Sequence, residues 1–135
     1  MASNPARTVP RLFRVILPVT DLDKASEFYA QVLGTLGERV SPGRHYFNCG
    51  GTILACLDPR LEGGLAAATP NREPFYFVSA DLDAVFYRAT RAGCQWIEGI
   101  ETHHWGERAF FAGDPFGNPI CFVDETTVFT ASPPS

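Results

Sequence analysis

The sequence predicts an α+β fold made of two β-α-β-β-β modules whose curled mixed sheets surround a cleft. Three observations carry this. In FRVILPVTDLDKASEFYAQVLG, apolar residues alternate at Phe13, Val15, Leu17 and Val19, then shift to helical spacing at Leu22, Ala25, Phe28, Tyr29, Val32 and Leu33. The same instruction returns in PFYFVSADLDAVFYRATRAG, where the DLD triplets starting at Asp21 and Asp81 stand 60 residues apart. Strand-like runs follow each helix.

In order along the chain, the first strand leads into a helix for which Thr20 and Asp23 make a capping box, and Gly34 suits the helix exit. RHYFNCG and TILACLD then read as strands of the first module, which spans about 12–58. The stretch DPRLEGGLAAATPNREP, rich in Gly, Pro and Ala, reads as the connection (59–72), with LAAA as a short helical turn. The second module (73–125) opens on an aromatic strand. Asp81 caps its helix, Leu82, Val85, Phe86, Ala89 and Ala92 form the buried stripe, and Gly93 closes it. CQWIEGIE, RAFFAGD and PICFVDE supply its remaining strands, with DPFGN as the last turn: Pro115 presets φ and Gly117 supplies a positive φ. A lone helix leaves one sheet face of each module bare, so two modules must pair, within a chain or between chains. The resulting concavity is the expected place for a small molecule.

Composition narrows the function. The 135 residues are 45% hydrophobic and 19% charged, the proportions of a globular domain. A formal charge of −4 argues against a nucleic-acid partner. No apolar run reaches the length needed to span a membrane, and MASNPARTVPR lacks the hydrophobic block of a secretory signal, so a cytoplasmic protein is expected. Cys49, Cys56, Cys94 and Cys121 have no CxxC spacing and read as buried thiols. The two ends, MASNPART and ASPPS, are polar and proline-bearing and are expected to be loosely held.

VTDLDKASEFYAQVLG, ADLDAVFYRATRAG and WGERAFFAGDPFGNPICFVDE together resemble the vicinal oxygen chelate superfamily, which includes glyoxalase I, bleomycin-resistance proteins and extradiol dioxygenases. The resemblance covers Leu12 to Glu125. It implies the paired-module fold, a homodimer, and four metal-ligand positions in the metal-dependent members. The first falls five residues before Val19, at Arg14. The second falls on TILACL, which offers only Cys56. The third falls at Pro74 or Phe75, and the fourth, four residues after Gly117, at Cys121. None is a usual oxygen or nitrogen ligand, and a guanidinium at Arg14 would repel a cation. The resemblance therefore implies a member without a metal or other cofactor, similar to the antibiotic-sequestering proteins, with Cys121 packing where a carboxylate would coordinate.

The expected ligand is a small planar or carboxylate-bearing molecule. Its site is assigned to Arg14, His45, Phe47, Trp96, His103, Trp105, Phe110 and Cys121. Arg14 offers a planar fork to an anion or a salt bridge to a neighbouring acid, and the aromatic side chains offer flat surfaces. Strand alternation lets only one of Phe110 and Phe111 face the cleft. An extended segment puts Glu101, His103 and Trp105 on one face and Thr102 and His104 on the other. Two rival readings remain. One is a lyase or isomerase using displaced metal ligands, or using His45, Glu101 and His103 or His104 in acid–base catalysis. The other is a structural or regulatory dimer.

Overall fold

The computed structural model describes residues 8–130; the expectation for the two chain ends falls almost wholly outside them. The first module runs β1 (Arg14–Pro18), α1 (Leu22–Leu33), β2 (Glu38–Ser41), β3 (Arg44–Cys49) and β4 (Thr52–Leu57). The second runs β5 (Phe75–Ser79), α2 (Leu82–Ala92), β6 (Trp96–Ile97), β7 (Glu101–Thr102), β8 (Arg108–Gly113) and β9 (Pro119–Asp124). The α+β fold is as the sequence predicts. One open sheet has the order β1-β4-β3-β2 and the other β5-β9-β8-β6, with β7 also on β8. In each, the strand before the helix pairs parallel with the last strand of its module, and parallel neighbours need such a crossover.

Local chemistry sets the helix ends. Asp21 caps α1 by accepting from the Lys24 N–H at 3.1 Å, and Asp81 caps α2 by accepting from the Ala84 N–H at 3.1 Å. The Thr20–Asp23 box is thus corrected by one residue: with Asp21 as the cap, the reciprocating position is Lys24, which has no carboxylate to reach back. Asp23 instead pairs with Arg39 at 2.9 Å. Gly34 ends α1 at φ +77° and Gly93 ends α2 at φ +96°, both left-handed.

Three strand and turn assignments differ from the expectation. The polar strand β2 (ERVS) sits at a sheet edge with little buried surface, and so carries almost no apolar alternation. CQWIEGIE is broken into β6 and β7 around Gly99, a residue that weakens a strand interior. LAAA forms no helix; the helical turn lies earlier, at Pro59–Glu62, capped by Asp58 and stopped by Gly63 at φ +89°.

Strand alternation divides each sheet into two faces. Pairing of Leu17 with Cys56, Phe47 with Leu54, and Phe110 with Phe122 puts these residues on the helix-bearing faces. There they join Phe28, Tyr29 and Val32 of α1 and Leu82, Val85 and Ala89 of α2 in a single core spanning both modules. Burial of each such aromatic side chain is worth roughly 2–3 kcal/mol. The opposite faces carry Arg14, Ile16, Tyr46 and Ala55 in the first module, and Tyr76, Val78, Phe111 and Cys121 in the second. Ile16, Tyr76 and Val78 are solvent-exposed there.

The modules are joined by a buried polar network at the DPFGN turn. Asp114, fully buried, accepts from Tyr29 Oη at 2.7 Å, Asn118 Nδ2 at 2.9 Å, and the backbone N–H groups of Phe116 and Asn118 at 2.8 Å. Asn118 Nδ2 also donates to the Pro18 carbonyl at 2.7 Å, and Asn118 Oδ1 accepts from the Asn71 N–H at 2.8 Å. One turn therefore ties β1, α1, β9 and the connecting segment together. No described helix is long and apolar enough to cross a membrane.

Candidate functional site

Arg14 opens β1 on the face turned away from the helices. Its guanidinium lies 5.1 Å from the Phe13 ring centroid and 5.3 Å from that of Tyr46. Aromatic faces hold a cation in place without neutralising it. Among the described residues no carboxylate lies within ion-pair distance of it. The salt-bridge alternative for Arg14 has no partner among these residues, and its donor fork is open to an anion.

The metal-ligand positions can be judged by their side chains. Cys56 is fully buried on the helix-bearing face; the β4 residue beside Ile16 on Arg14's face is Ala55, a methyl group. Phe75 also faces the helices, and Pro74 has no donor. Cys121 does take the fourth position's face, paired with Tyr76 and Phe111, but it is buried. Burial pushes its thiol up to about 12, with the charge of Glu107 adding to the effect, so it is not a thiolate near neutrality. Cys56 is likewise pushed up to about 12 by burial, with Asp114 and Cys49 adding. Among the described residues no group of three or more His, Cys, Asp or Glu side chains could hold a metal ion. A divalent cation needs several converging donors, and these residues do not fit one.

The second module supplies the aromatic surface. His103 stacks on Trp105 with centroids 4.5 Å apart and planes at 11°, and meets Phe111 edge-on at 5.5 Å. Tyr76 in turn meets Phe111 edge-on at 6.1 Å. Trp105 Nε1 donates to Glu107 Oε1 at 2.9 Å, fixing the indole, which stays 48% exposed. Glu101 Oε1 lies 3.8 Å from His103 Nδ1, while His103 Nε2 is buried with no hydrogen-bond partner among the described residues. Trp96 lies flat over Gly113, where any Cβ would collide with the indole. Glu107 holds Trp105, and Arg108 bridges Asp83 and Asp124 at 3.2 Å each.

The structure therefore separates the eight assigned residues. Arg14, Trp96, His103, Trp105 and Cys121 belong to helix-free surfaces of the two modules. His45, Phe47 and Phe110 do not, and this corrects their assignment. Phe47 and Phe110 are fully buried in the shared core. His45 faces the helices, its Nε2 3.0 Å from the Leu36 carbonyl and its Nδ1 accepting from Arg39 Nε at 3.4 Å. Its hydrogen bonds are used locally. Phe111, and not Phe110, takes the helix-free face, because β8 pairs Phe111 with Cys121. Sequence reasoning missed Tyr46 as a site neighbour, whereas Tyr76 is among the aromatic residues the sequence offers, and the alternation of FYFVS, with Phe75 and Phe77 inward, turns it to this face.

Comparison with known proteins fits this architecture. A search of curated proteins finds no match. Among solved structures, a glyoxalase-related enzyme from Fulvimarina pelagi superposes with TM-score 0.73 at 18% identity, covering 94% of this chain and 96% of that one. Lactoylglutathione lyase from Agrobacterium tumefaciens superposes with TM-score 0.69 at 21% identity, covering 88% and 97%. A glyoxalase/bleomycin resistance protein from Albidiferax ferrireducens T118 gives TM-score 0.68 at 22% identity, covering 83% and 97%. These likenesses show the fold. The family model described as Glyoxalase/Bleomycin resistance protein/Dioxygenase superfamily matches residues 11–122, most of the chain, and the protein belongs to that superfamily.

Proposed function

We propose that the protein is a metal-independent small-molecule binder that holds a planar, carboxylate-bearing ligand on the helix-free faces of its modules. The observation that carries this reading is Arg14: a guanidinium held between two aromatic rings, with no acidic partner among the described residues, at a position where metal-dependent relatives need a ligand. Arg14 binds the carboxylate, and the Trp105–His103–Phe111 surface stacks against the planar body. A homodimer supports this arrangement. β1 and β5 are edge strands with exposed apolar side chains at Ile16, Tyr76 and Val78, and a second copy covers them and brings the first module of one chain to the second module of the other. Four free thiols suit a reducing compartment such as the cytoplasm.

The test is a tryptophan-fluorescence titration with 2-naphthoate. Saturable quenching is expected, and Arg14→Gln weakens binding about 10- to 100-fold, the loss of one charge-assisted pair. Equal affinity in Arg14→Gln would remove Arg14 from the site.

A second reading is favoured by His103, whose buried Nε2 lacks a partner among the described residues while Nδ1 faces Glu101. Such a pair suits proton transfer at a carbon next to a carbonyl, the chemistry of a lyase or isomerase. This reading requires hemithioacetal turnover by chelator-treated protein that is abolished in His103→Gln with binding retained.

A further inference from the structure

The two modules meet at two equivalent joints, and only one is filled. The ladders put Ala55 beside Ile16 and Cys121 beside Tyr76, so Thr52 of the first hairpin occupies the place of Asn118 in the second, and Cys49, opposite Thr52, the place of Asp114. The turn glycines agree: Gly51 has φ +105° and Gly117 has φ +90°. The 60-residue repeat likewise puts Ala89 in the place of Tyr29. At the filled joint, Tyr29, Asp114 and Asn118 bond to one another and Asn118 reaches the end of β1.

At the other joint each of these groups is missing or turned elsewhere. Ala89 has no phenol to offer. Cys49 carries a thiol where Asp114 carries a carboxylate, and Thr52 Oγ1 donates to the Leu12 carbonyl at 3.0 Å. The space left is a cavity of about 710 Å³ between the β3–β4 hairpin, β5 and the two helices. That is within the volume range of small-molecule sites. None of the eight residues assigned from sequence lines it.

Its walls are apolar and aromatic, with Val15, Leu54, Phe75, Phe77, Val85 and Phe122 among them. Arg88 of α2 is the cation in its lining. Arg88 Nε donates to the Val32 carbonyl at 3.2 Å, which anchors the side chain by one donor. No carboxylate among the described residues pairs with its terminal nitrogens. A half-buried guanidinium at an apolar hollow recognises an anion carrying an apolar body, since the charge-assisted bonds strengthen as water is excluded.

We propose that this open joint is a second binding site, separate from the Arg14 surface, for an apolar monocarboxylate whose acid group pairs with Arg88 and whose hydrocarbon or aryl body fills the gap between the modules. It does not rest on the reading given for Arg14, and the two are separated by working in an Arg14→Gln background.

The test is calorimetric titration of full-length Arg14→Gln protein with 4-phenylbutyrate and with its neutral counterpart 4-phenylbutyramide. The expected result is one saturable site per chain for the acid, with the amide at least tenfold weaker. Adding Arg88→Gln brings the acid down to the affinity of the amide, and Arg88→Lys restores part of the difference. Thermal unfolding of each variant shows whether the fold is kept, and the acid–amide comparison needs no change at Arg88. Absence of saturable binding, equal affinity for acid and amide, or an unchanged acid affinity in folded Arg88→Gln would each overturn the proposal.

Discussion

Asp114→Ala lowers the unfolding free energy by about 4 kcal/mol, because it strips a buried network of its shared acceptor and leaves several donors unpaired at roughly 1–3 kcal/mol each. The donors are Tyr29 Oη, Asn118 Nδ2 and the backbone N–H of Asn118, all buried in the joint between modules, and the half-buried N–H of Phe116. Tyr29 shows the environment from the other side. Its phenol is pushed well above the usual tyrosine range by burial first and by the neighbouring Asp114 charge second, so it remains a donor at any ordinary pH. Tyr29→Phe removes one donor along with its bond and costs about 1 kcal/mol, much less than loss of the acceptor. Urea unfolding of the two variants measures the contrast. Equal, small effects would mean that water reaches the joint and replaces the carboxylate.

Phe110→Ala is expected to cost about 3–5 kcal/mol, the range for deleting a core aromatic side chain. The ring meets Phe86 at 5.0 Å and Phe122 at 5.2 Å, and none of it is exposed. Its neighbour Phe111 belongs to the helix-free face, so Phe111→Ala costs less stability and weakens 2-naphthoate binding instead. The pair is a direct check on which face each residue takes. A Phe110→Ala variant of nearly full stability, with ligand binding lost, would restore the assignment made from sequence and reverse the β8 register.

Those two residues also show what is legible in the sequence. Helix ends are local: Asp81 and its backbone partner are three residues apart, so the cap is readable from a short window. The periodicity switch and its repeat gave both helices and the β-α order. The face taken by Phe110 or Phe111 is not local, because both are apolar and the choice is made by pairing with β9. The same one-residue ambiguity put Cys56 where Ala55 stands, and one position separates Thr20 from the actual cap at Asp21. The joint at Asp114 is less readable still: its partners Tyr29 and, through Asn118, Pro18 come from the other module. Asp114 looks like an ordinary turn residue until those partners are placed. Arg14 was found by counting along a motif, but only the three-dimensional arrangement shows that two aromatic rings, and no carboxylate of the described residues, flank it.

The central claim is that recognition here uses Arg14 and aromatic surface where metal-dependent relatives use coordination. It is tested most directly by repeating the 2-naphthoate titration on protein exhaustively dialysed against chelator, with elemental analysis of the same sample. The predicted result is an unchanged dissociation constant in protein free of nickel, zinc, iron and manganese. Binding that disappears with the metal and returns on adding one equivalent of a single divalent cation would contradict it.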